Sequence, residues 1–400
     1  MKLLFVHDRF GSFAGAEANL LATAAELKAR GHAVGLAHGP GTGKGEERWT
    51  ETFPDRFPRP PGGAGPAVCA AFNQFRPDVA YVHKMAELDA LRAMLAQGVP
   101  LVRMVHDHDL YCMRSYKYNY ITRRTCRRAA SPYCLFPCGA FVARNPEGGL
   151  PLRWVSYRAK REEIRLNQQF ERLVVGSRFM REELLRNGFA PAKVEIHPPV
   201  PVPGAPSWQS SFSDRNLLVY AGQVVRGKGV DVLLEALARV HTPFECCIFG
   251  DGNHRAYCEQ LSRKLGLAGR VHFKGYVPPA ELQGCLREAS ALLLASVWPE
   301  PFGAVGLEGM RHGLPVIAFD AGGISEWLID GFNGWLVPWM DRGAFAGRIE
   351  ALLRDKALAR QMGAHGKTLI AQDYDFSRYI DGLERLFRNV AGLRRQPLAA

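Results

Sequence analysis

The sequence predicts an α/β fold of two doubly wound domains, each a parallel sheet covered on both faces. Three observations lead there. Short apolar runs of buried-strand type alternate with helical patterns. The alternation restarts after a segment rich in Pro and Ser, Pro198–Ser213. A chain of 400 residues also exceeds what one ordinary core organises and suits two domains of roughly 150–200 residues each. The composition is globular, with 47% apolar residues and no low-complexity tract. No apolar run reaches a membrane span, and Met-Lys-Leu-Leu-Phe-Val at the start is cut off by His7-Asp8, too short for a signal-peptide core. A cytoplasmic protein is expected, with its nine cysteines reduced or metal-bound.

The first domain, residues 1–200, opens with strand Leu3–Val6, then the Gly-rich loop Gly11–Gly15 and a helix from Ala16 to Arg30 that Gly31 caps. Further strands fit Ala33–Ala37, Val79–Val82, Leu101–Val105 and Leu173–Val175. An insertion rich in Cys, Arg and Tyr occupies about 107–165. After a linker at 201–213 the second domain, 214–375, repeats the scheme. Strand Leu217–Tyr220 leads into Gly222…Gly227-Lys228-Gly229 and helix Val230–Val240. Strands Cys246–Phe249, Val271–Phe273, Ala291–Ala295, Pro315–Phe319 and Gly334–Val337 follow. The apolar spacing of 376–400 predicts a helix that packs back on the first domain. In open sheets of this kind ligands sit beyond the carboxyl ends of the strands, and two such domains facing a cleft offer a Gly-rich loop from each side.

The net charge of +12 is uneven. Residues 1–206 carry 29 Lys/Arg against 19 Asp/Glu, and residues 207–400 carry 22 against 20. This asymmetry points to an acidic partner on the N-terminal side: an anionic membrane surface, a phosphorylated acceptor or nucleic acid. Nucleic acid ranks last, because no helix-turn-helix, zinc-finger or aromatic RNA-binding pattern is present. The basic-aromatic run Arg114–Arg128 and the cationic stretch Arg158–Arg165 supply much of the positive charge. A solvated face without a partner is the competing reading.

The candidate site residues fall at the strand ends. In Glu300-Pro-Phe-Gly-Ala-Val-Gly-Leu-Glu308 two carboxylates stand eight positions apart. With a helix starting near Gly303, Glu300 lies in the loop before it, open to solvent, and Glu308 lies inside it. Free first-turn amides beside a carboxylate suit a ligand carrying both phosphate and hydroxyls. Gly222–Gly229 is neither a Walker loop nor a dinucleotide fingerprint. It does place Lys228, and with it Arg226, at a helix start where a diphosphate gains charge and amide contacts. Gly15 permits close backbone approach, with Glu17 two residues on at the start of the helix. His106, at the end of Leu101–Val105, is placed to reach a ligand, whereas strand geometry splits His106-Asp107-His108-Asp109 between two faces and argues against a metal. Cys112, Cys126, Cys134 and Cys138 leave two readings open, a four-cysteine structural zinc site or free thiols. Only the Cys134–Cys138 pair has zinc-site spacing.

Taken together, Glu300-Pro-Phe-Gly…Glu308, Gly313-Leu-Pro-Val-Ile-Ala, Gly322-Gly323-Ile324-x-Glu326 and Gly331-x-x-Gly334 resemble the retaining glycosyltransferases of family 4, which have the two-Rossmann GT-B fold. Gly15-Ala16-Glu17, His106-Asp107, Ser177-Arg-Phe-Met and Lys228-Gly229 match that family's other landmarks in order. The resemblance implies that Lys228 binds the donor diphosphate and that Glu300 hydrogen-bonds the transferred sugar. The amides of Phe302 and Gly303 would contact sugar and phosphate, Glu308 would hold the ribose, and Gly275-Tyr276-Val277 would line the base pocket. Gly15 would approach the phosphate and His106 would position the sugar.

One departure stands out: Gln223 occupies the place of the family's usual arginine, and Arg226 is the candidate replacement. The implied donor is a UDP- or GDP-linked sugar, with no cofactor and no metal required. The implied route is front-face transfer with retention, the departing diphosphate accepting the acceptor's proton, so that neither Glu300 nor Glu308 serves as a hydrolytic acid or base. The acceptor would be a glycan or lipid-linked molecule of bacterial surface-polysaccharide assembly, handled by a cytoplasmic enzyme or one peripheral on the inner membrane face. The alternatives are a glucan-extending relative of glycogen or starch synthase, which lacks support because no Lys-Thr-Gly-Gly loop is present, and a non-catalytic nucleotide-sugar-binding relative.

Overall fold

The computed structural model describes residues 1–12, 15–59, 63–144, 152–200 and 208–393. Parts of the Gly11–Gly15 loop, the insertion, the 201–213 linker and the C-terminal stretch therefore lie outside the described residues. Two compact units emerge. One comprises residues 1–117, 127–199 and the chain from Phe376; the other comprises Tyr118–Cys126 and 200–375.

In the first unit, strands β1 (Lys2–His7), β2 (Ala33–His38), β3 (Asp55–Pro58), β4 (Val79–Val82) and β5 (Leu101–Val105) are followed by a small antiparallel hairpin, β6 (Val142–Arg144) and β7 (Leu152–Trp154). Strands β8 (Arg172–Val175) and β9 (Val194–Ile196) complete the unit. The main sheet runs β3-β2-β1-β4-β5-β8-β9 and is parallel throughout. β4 and β5 are buried along their whole length, as strands covered by helices on both faces are. Helix Phe376–Leu393 belongs to this unit. Phe387 packs edge-on against Tyr81 at 5.0 Å, and Glu384 meets His32 at 2.6 Å.

In the second unit, β10 (Leu217–Ala221), β11 (Glu245–Phe249), β12 (Val271–Gly275), β13 (Ala289–Leu294), β14 (Val316–Phe319) and β15 (Gly334–Val337) form a parallel sheet in the order β12-β11-β10-β13-β14-β15. Its faces bury two apolar clusters, one around Leu233, Ile248 and Phe345 and one around Leu292, Trp327 and Val316. In each sheet the strand order reverses beside the first strand, between β1 and β4 and between β10 and β13. Such a reversal opens a crevice beyond the carboxyl ends of the two strands.

Candidate active site

In the second unit the reversal sets two loops side by side. After β10 the chain passes Gly222 and Gln223 and makes one tight turn, Arg226–Lys228. Gly229 then starts helix Val230–Leu237 at φ 66°, and a Cβ there would lie 1.9 Å from the Ala295 carbonyl oxygen. Only glycine fits both the backbone and the space. After β13 the chain runs through Ser296 and Trp298 to Glu300. The amides of Val297 and Trp298 both donate to the Gly227 carbonyl, at 2.9 and 3.0 Å, which locks the two loops together.

That lock brings Lys228 Nζ to 2.6 Å from Glu300 Oε1, across 72 positions of sequence. The Ser296 hydroxyl donates to the same oxygen. Glu300 is only 4% exposed, a correction to the solvent-open position expected for it. Its loop is pinned by a parallel bridge to Gly322, with the Glu300 amide on Ala321 O and the Gly323 amide on Glu300 O. Burial alone would raise its pKa; the Lys228 charge and the hydrogen bonds from Lys228 and Ser296 bring it below the usual carboxylate value. Lys228 also lies 5.0 Å from the centre of the Trp298 ring. Glu300 is therefore a carboxylate at neutral pH, paired with Lys228.

The remaining expected residues of this unit surround the pair. Phe302 is buried and its carbonyl accepts from Trp327 Nε1 at 2.6 Å, so its ring is core. The amides of Phe302 and Gly303 donate to no group among the described residues. Helix Val305–Arg311 begins two residues later than expected and carries Glu308 in its first turn, exposed and with no salt bridge among the described residues. Gln223 is exposed, its backbone carbonyl accepting from Tyr220 Oη at 3.0 Å. Arg226 stacks on the Tyr120 ring at 4.4 Å. Tyr276, directly after β12, is 72% exposed.

In the first unit β1 ends on His7, and the residues directly after β4 and β5 are His83 and His106. His83 Nδ1 and His106 Nε2 are 2.7 Å apart, with ring centres 5.0 Å apart and 26° between the planes. That geometry is edge to edge, one nitrogen directed at the other, so one ring donates and the other accepts. His83 Nε2 is buried and has no partner among the described residues. An orphaned N–H is the rarer and costlier fault, which puts the His83 proton on Nδ1, donating to His106. His106 then carries its own proton on Nδ1. Burial lowers His106 to about 3, so it is a neutral imidazole under physiological conditions.

Beside these rings Lys84 meets Asp107 at 3.0 Å. Burial would raise Asp107, but Lys84 takes it down to about 2, while burial and Asp107 together push Asp109 up. Gly15 caps helix Ala16–Ala29 at φ 57°, ψ −115°, and an added Cβ there would meet nothing within 4 Å; its conformation, not crowding by the protein, calls for glycine. His7, fully buried, lies 4.0 Å from Glu17.

The insertion bears on two expectations. Its four cysteines form no disulfide, and no group of three or more metal-ligating side chains gathers among the described residues. Much of the Arg114–Arg128 charge is committed internally as well. Arg114 donates to the Cys138 and Gly139 carbonyls, Lys117 pairs with buried Glu183, Arg123 pairs with Asp231, and Arg128 stacks on Tyr133. Among the residues that sequence reasoning missed are Ser296, Lys84 and His83. His83 and Lys84 directly follow the buried run Val79–Val82, a signal equal to the one that singled out His106.

Each unit is thus a doubly wound parallel sheet with polar side chains beyond its strand reversal, a lysine–carboxylate pair in the second and a histidine pair in the first. Residues 207–369 match the family Glycosyl transferases group 1, and residues 13–200 match Glycosyltransferase Family 4. The chain belongs to these group 1, family 4 glycosyltransferases. It is 30% identical over 182 residues to the alpha-D-kanosaminyltransferase of Streptomyces kanamyceticus, covering 45% of this chain and 47% of that one. It is 34% identical over 168 residues to the phosphatidyl-myo-inositol mannosyltransferase of Mycobacterium leprae, covering 41% and 44%. The chain thus spans about half the length of the curated relatives it matches. The crystal structure of Anabaena HepE in complex with UDP-glucose superposes with a TM-score of 0.74 at 20% identity, over 97% of this chain and all of that one, which shows the GT-B fold.

Proposed function

We propose that this protein is a retaining glycosyltransferase that moves a sugar from a nucleotide-sugar donor, UDP- or GDP-linked, to an acceptor hydroxyl in surface-polysaccharide or lipid-linked glycan synthesis. The observation that carries this reading is the Lys228–Glu300 pair beyond the β10/β13 reversal. A buried carboxylate needs a cation or several donors. A nucleotide-sugar supplies a substitute for each member: its diphosphate takes the lysine, and its sugar hydroxyls donate to the carboxylate. The pair can therefore exchange partners without leaving either charge buried alone.

As the bond from the anomeric carbon to the phosphate oxygen lengthens, negative charge grows on the diphosphate. Lys228, Arg226 and the amides of Phe302 and Gly303 stabilise that charge where it develops. Arg226 takes the part that Gln223, uncharged, does not fill. Glu308 holds the ribose and Tyr276 borders the base. The neutral His106 acts as a hydrogen-bond partner that positions the sugar, with Gly15 giving backbone access to the phosphate. The acceptor's proton leaves on the departing phosphate oxygen, so no protein base is needed.

The acceptor is anionic or lies at an anionic membrane surface. Arg158, Arg161, Arg165 and Arg186 line a cavity of about 630 Å³ in the first unit, and this supports that part of the reading. No helix among the described residues is long and apolar enough to cross a membrane. The test is a panel of UDP- and GDP-sugars scored for donor hydrolysis and for protection from thermal unfolding. Hydrolysis of one donor with protection by its nucleotide is the expected outcome. Protection without turnover, with or without acceptors, would favour a non-catalytic binding protein, and extension of a glucan primer would favour the synthase-like alternative.

A further inference from the structure

The segment Tyr118–Cys126 comes from the middle of the first half of the sequence yet belongs to the second compact unit. Its shape is set by its own bonds. Tyr118 and Thr125 form an antiparallel bridge, and the Asn119 amide donates to Arg124 O at 2.9 Å. The Arg123 amide donates to Asn119 O at 2.8 Å, and the Asn119 side-chain oxygen accepts from the amides of Ile121 and Thr122. This closes a tight hairpin with Arg123 in the left-handed region at φ 60°.

Three side chains of this hairpin reach the turn that carries Lys228. The Arg123 guanidinium makes a two-pronged bond to Asp231, at 3.1 and 2.5 Å. Asp231 lies in the first turn of the helix that the Arg226–Gly229 turn opens, and it is buried. The Tyr120 ring lies under the Arg226 guanidinium at 4.4 Å. Gly227 is enclosed between Trp298 and the Tyr118 ring, which an added Cβ would approach to 3.3 and 3.4 Å. Arg226, Gly227 and the start of the helix are thus each held by the hairpin, and Lys228 sits between them.

A turn flanked by glycines loses much conformational freedom when it closes on a ligand. Contacts that fix it beforehand remove that cost from binding. We infer that the hairpin Tyr118–Cys126 is a positioning element of the donor site, in which Tyr120 orients Arg226 toward the nucleotide diphosphate and Arg123, through Asp231, fixes the turn of Lys228. This rests on the donor-site reading above, and the experiment separates the two.

The affinities of UDP and GDP are measured by calorimetry for the wild-type chain and for Tyr120→Ala, Tyr120→Phe, Arg123→Lys and Lys228→Ala, with donor KM, kcat and thermal melting alongside. Tyr120→Ala is expected to weaken the bound nucleotide about three- to fivefold, the size of a part-exposed cation–π contact. Donor KM should rise in step and kcat should fall by a similar factor, because Arg226 also meets the charge that grows in the transition state, with the melting temperature unchanged. Tyr120→Phe keeps the ring and should match the wild type. Arg123→Lys keeps the charge but loses the fork, and should weaken binding in the same way. Lys228→Ala should weaken it most. Unchanged affinity in Tyr120→Ala and Arg123→Lys, with Lys228→Ala impaired, overturns the hairpin's role and leaves the donor site standing. Unchanged affinity in Lys228→Ala as well overturns both.

Discussion

The two reversal points solve one problem by opposite means. Each collects polar side chains where the sheet leaves little water, beyond the carboxyl ends of parallel strands. In the second unit Lys228 and Glu300 are both charged and survive burial by pairing at 2.6 Å. In the first, His83 and His106 survive by staying neutral and sharing one proton along a 2.7 Å bond. An ion pair can trade its partners for a charged ligand. A neutral pair can only offer or accept hydrogen bonds. On the proposed function, this difference gives charge stabilisation to the second unit and orientation to the first.

Breaking the charged pair tests that division most severely. Glu300→Gln keeps the shape but removes the charged acceptor for the sugar. Transfer should fall by about two to three orders of magnitude, as when a preorganised transition-state contact is removed, while nucleotide affinity changes little. Transfer at the wild-type rate would remove Glu300 from the chemistry. Lys228→Met leaves the carboxylate buried without its cation. Chemical denaturation at pH 8 should show a loss of about 3 kcal/mol, the low end for a broken buried pair, because the Lys228 side chain is already 24% exposed. Adding Glu300→Gln to Lys228→Met should restore much of that stability, a coupling that a double-mutant cycle reads directly.

Acid sharpens the contrast from the other side. Burial lowers the pKa of His7, His38, His83, His106 and His197 in the first unit. A histidine that the fold keeps neutral takes its proton only on unfolding. Its stabilisation is complete above the unfolded value of about 6.5 and drains away as pH falls toward the folded value, about 3 for His106. Asp109 and Glu163, raised by burial, take up protons in the folded state and oppose part of this loss. Glu300, with a lowered pKa, gives up its contribution only below the ordinary glutamate range of about 4.3. Burial lowers His254 and His312 of the second unit as well, but these are two rings against five, so hydrogen exchange at pH 7.5 and pH 5 should show first-unit peptides losing more protection than those around β10 and β13. His106→Gln should flatten that loss; an equal loss in both units would refute the contrast.

Sequence reasoning reached these two regions unequally, for physical reasons. Val79–Val82 and Leu101–Val105 are legible to the residue because a strand buried on both faces is apolar at most positions; the buried Arg103 is the exception, held by Met85 O and Asn167 Oδ1. Asp55–Pro58 and Val194–Ile196 escape because they are edge strands: Asp55, Arg56, Glu195 and Ile196 face solvent and blur the pattern. Lys228 and Glu300 could be singled out as residues, yet their bond could not, since it depends on β10 lying next to β13. The burial of Glu300 follows from the same adjacency. Arg123 read as surface charge because nothing local reveals a partner 108 positions away.

The smallest effect tests whether the two acids of the Glu300–Glu308 segment do different work. Glu300 is buried and paired, whereas Glu308, eight residues on, is exposed and makes no salt bridge among the described residues. Removing the Glu308 charge should therefore cost no folding stability: no buried partner is stranded, and burial raises the Glu308 pKa, so the ionised form is not what the fold favours. If Glu308 holds the ribose, it touches a part of the donor that bears no reacting atom. Its contribution would be the same in the ground state and the transition state, and such binding appears in KM and not in kcat. Glu308→Gln should thus weaken free UDP or GDP and the intact donor alike, by about tenfold, the size of a hydrogen bond to a charged group, with kcat unaltered. A fall in kcat instead would place Glu308 with Glu300 at the sugar, and the division of labour between the two carboxylates would have to be abandoned.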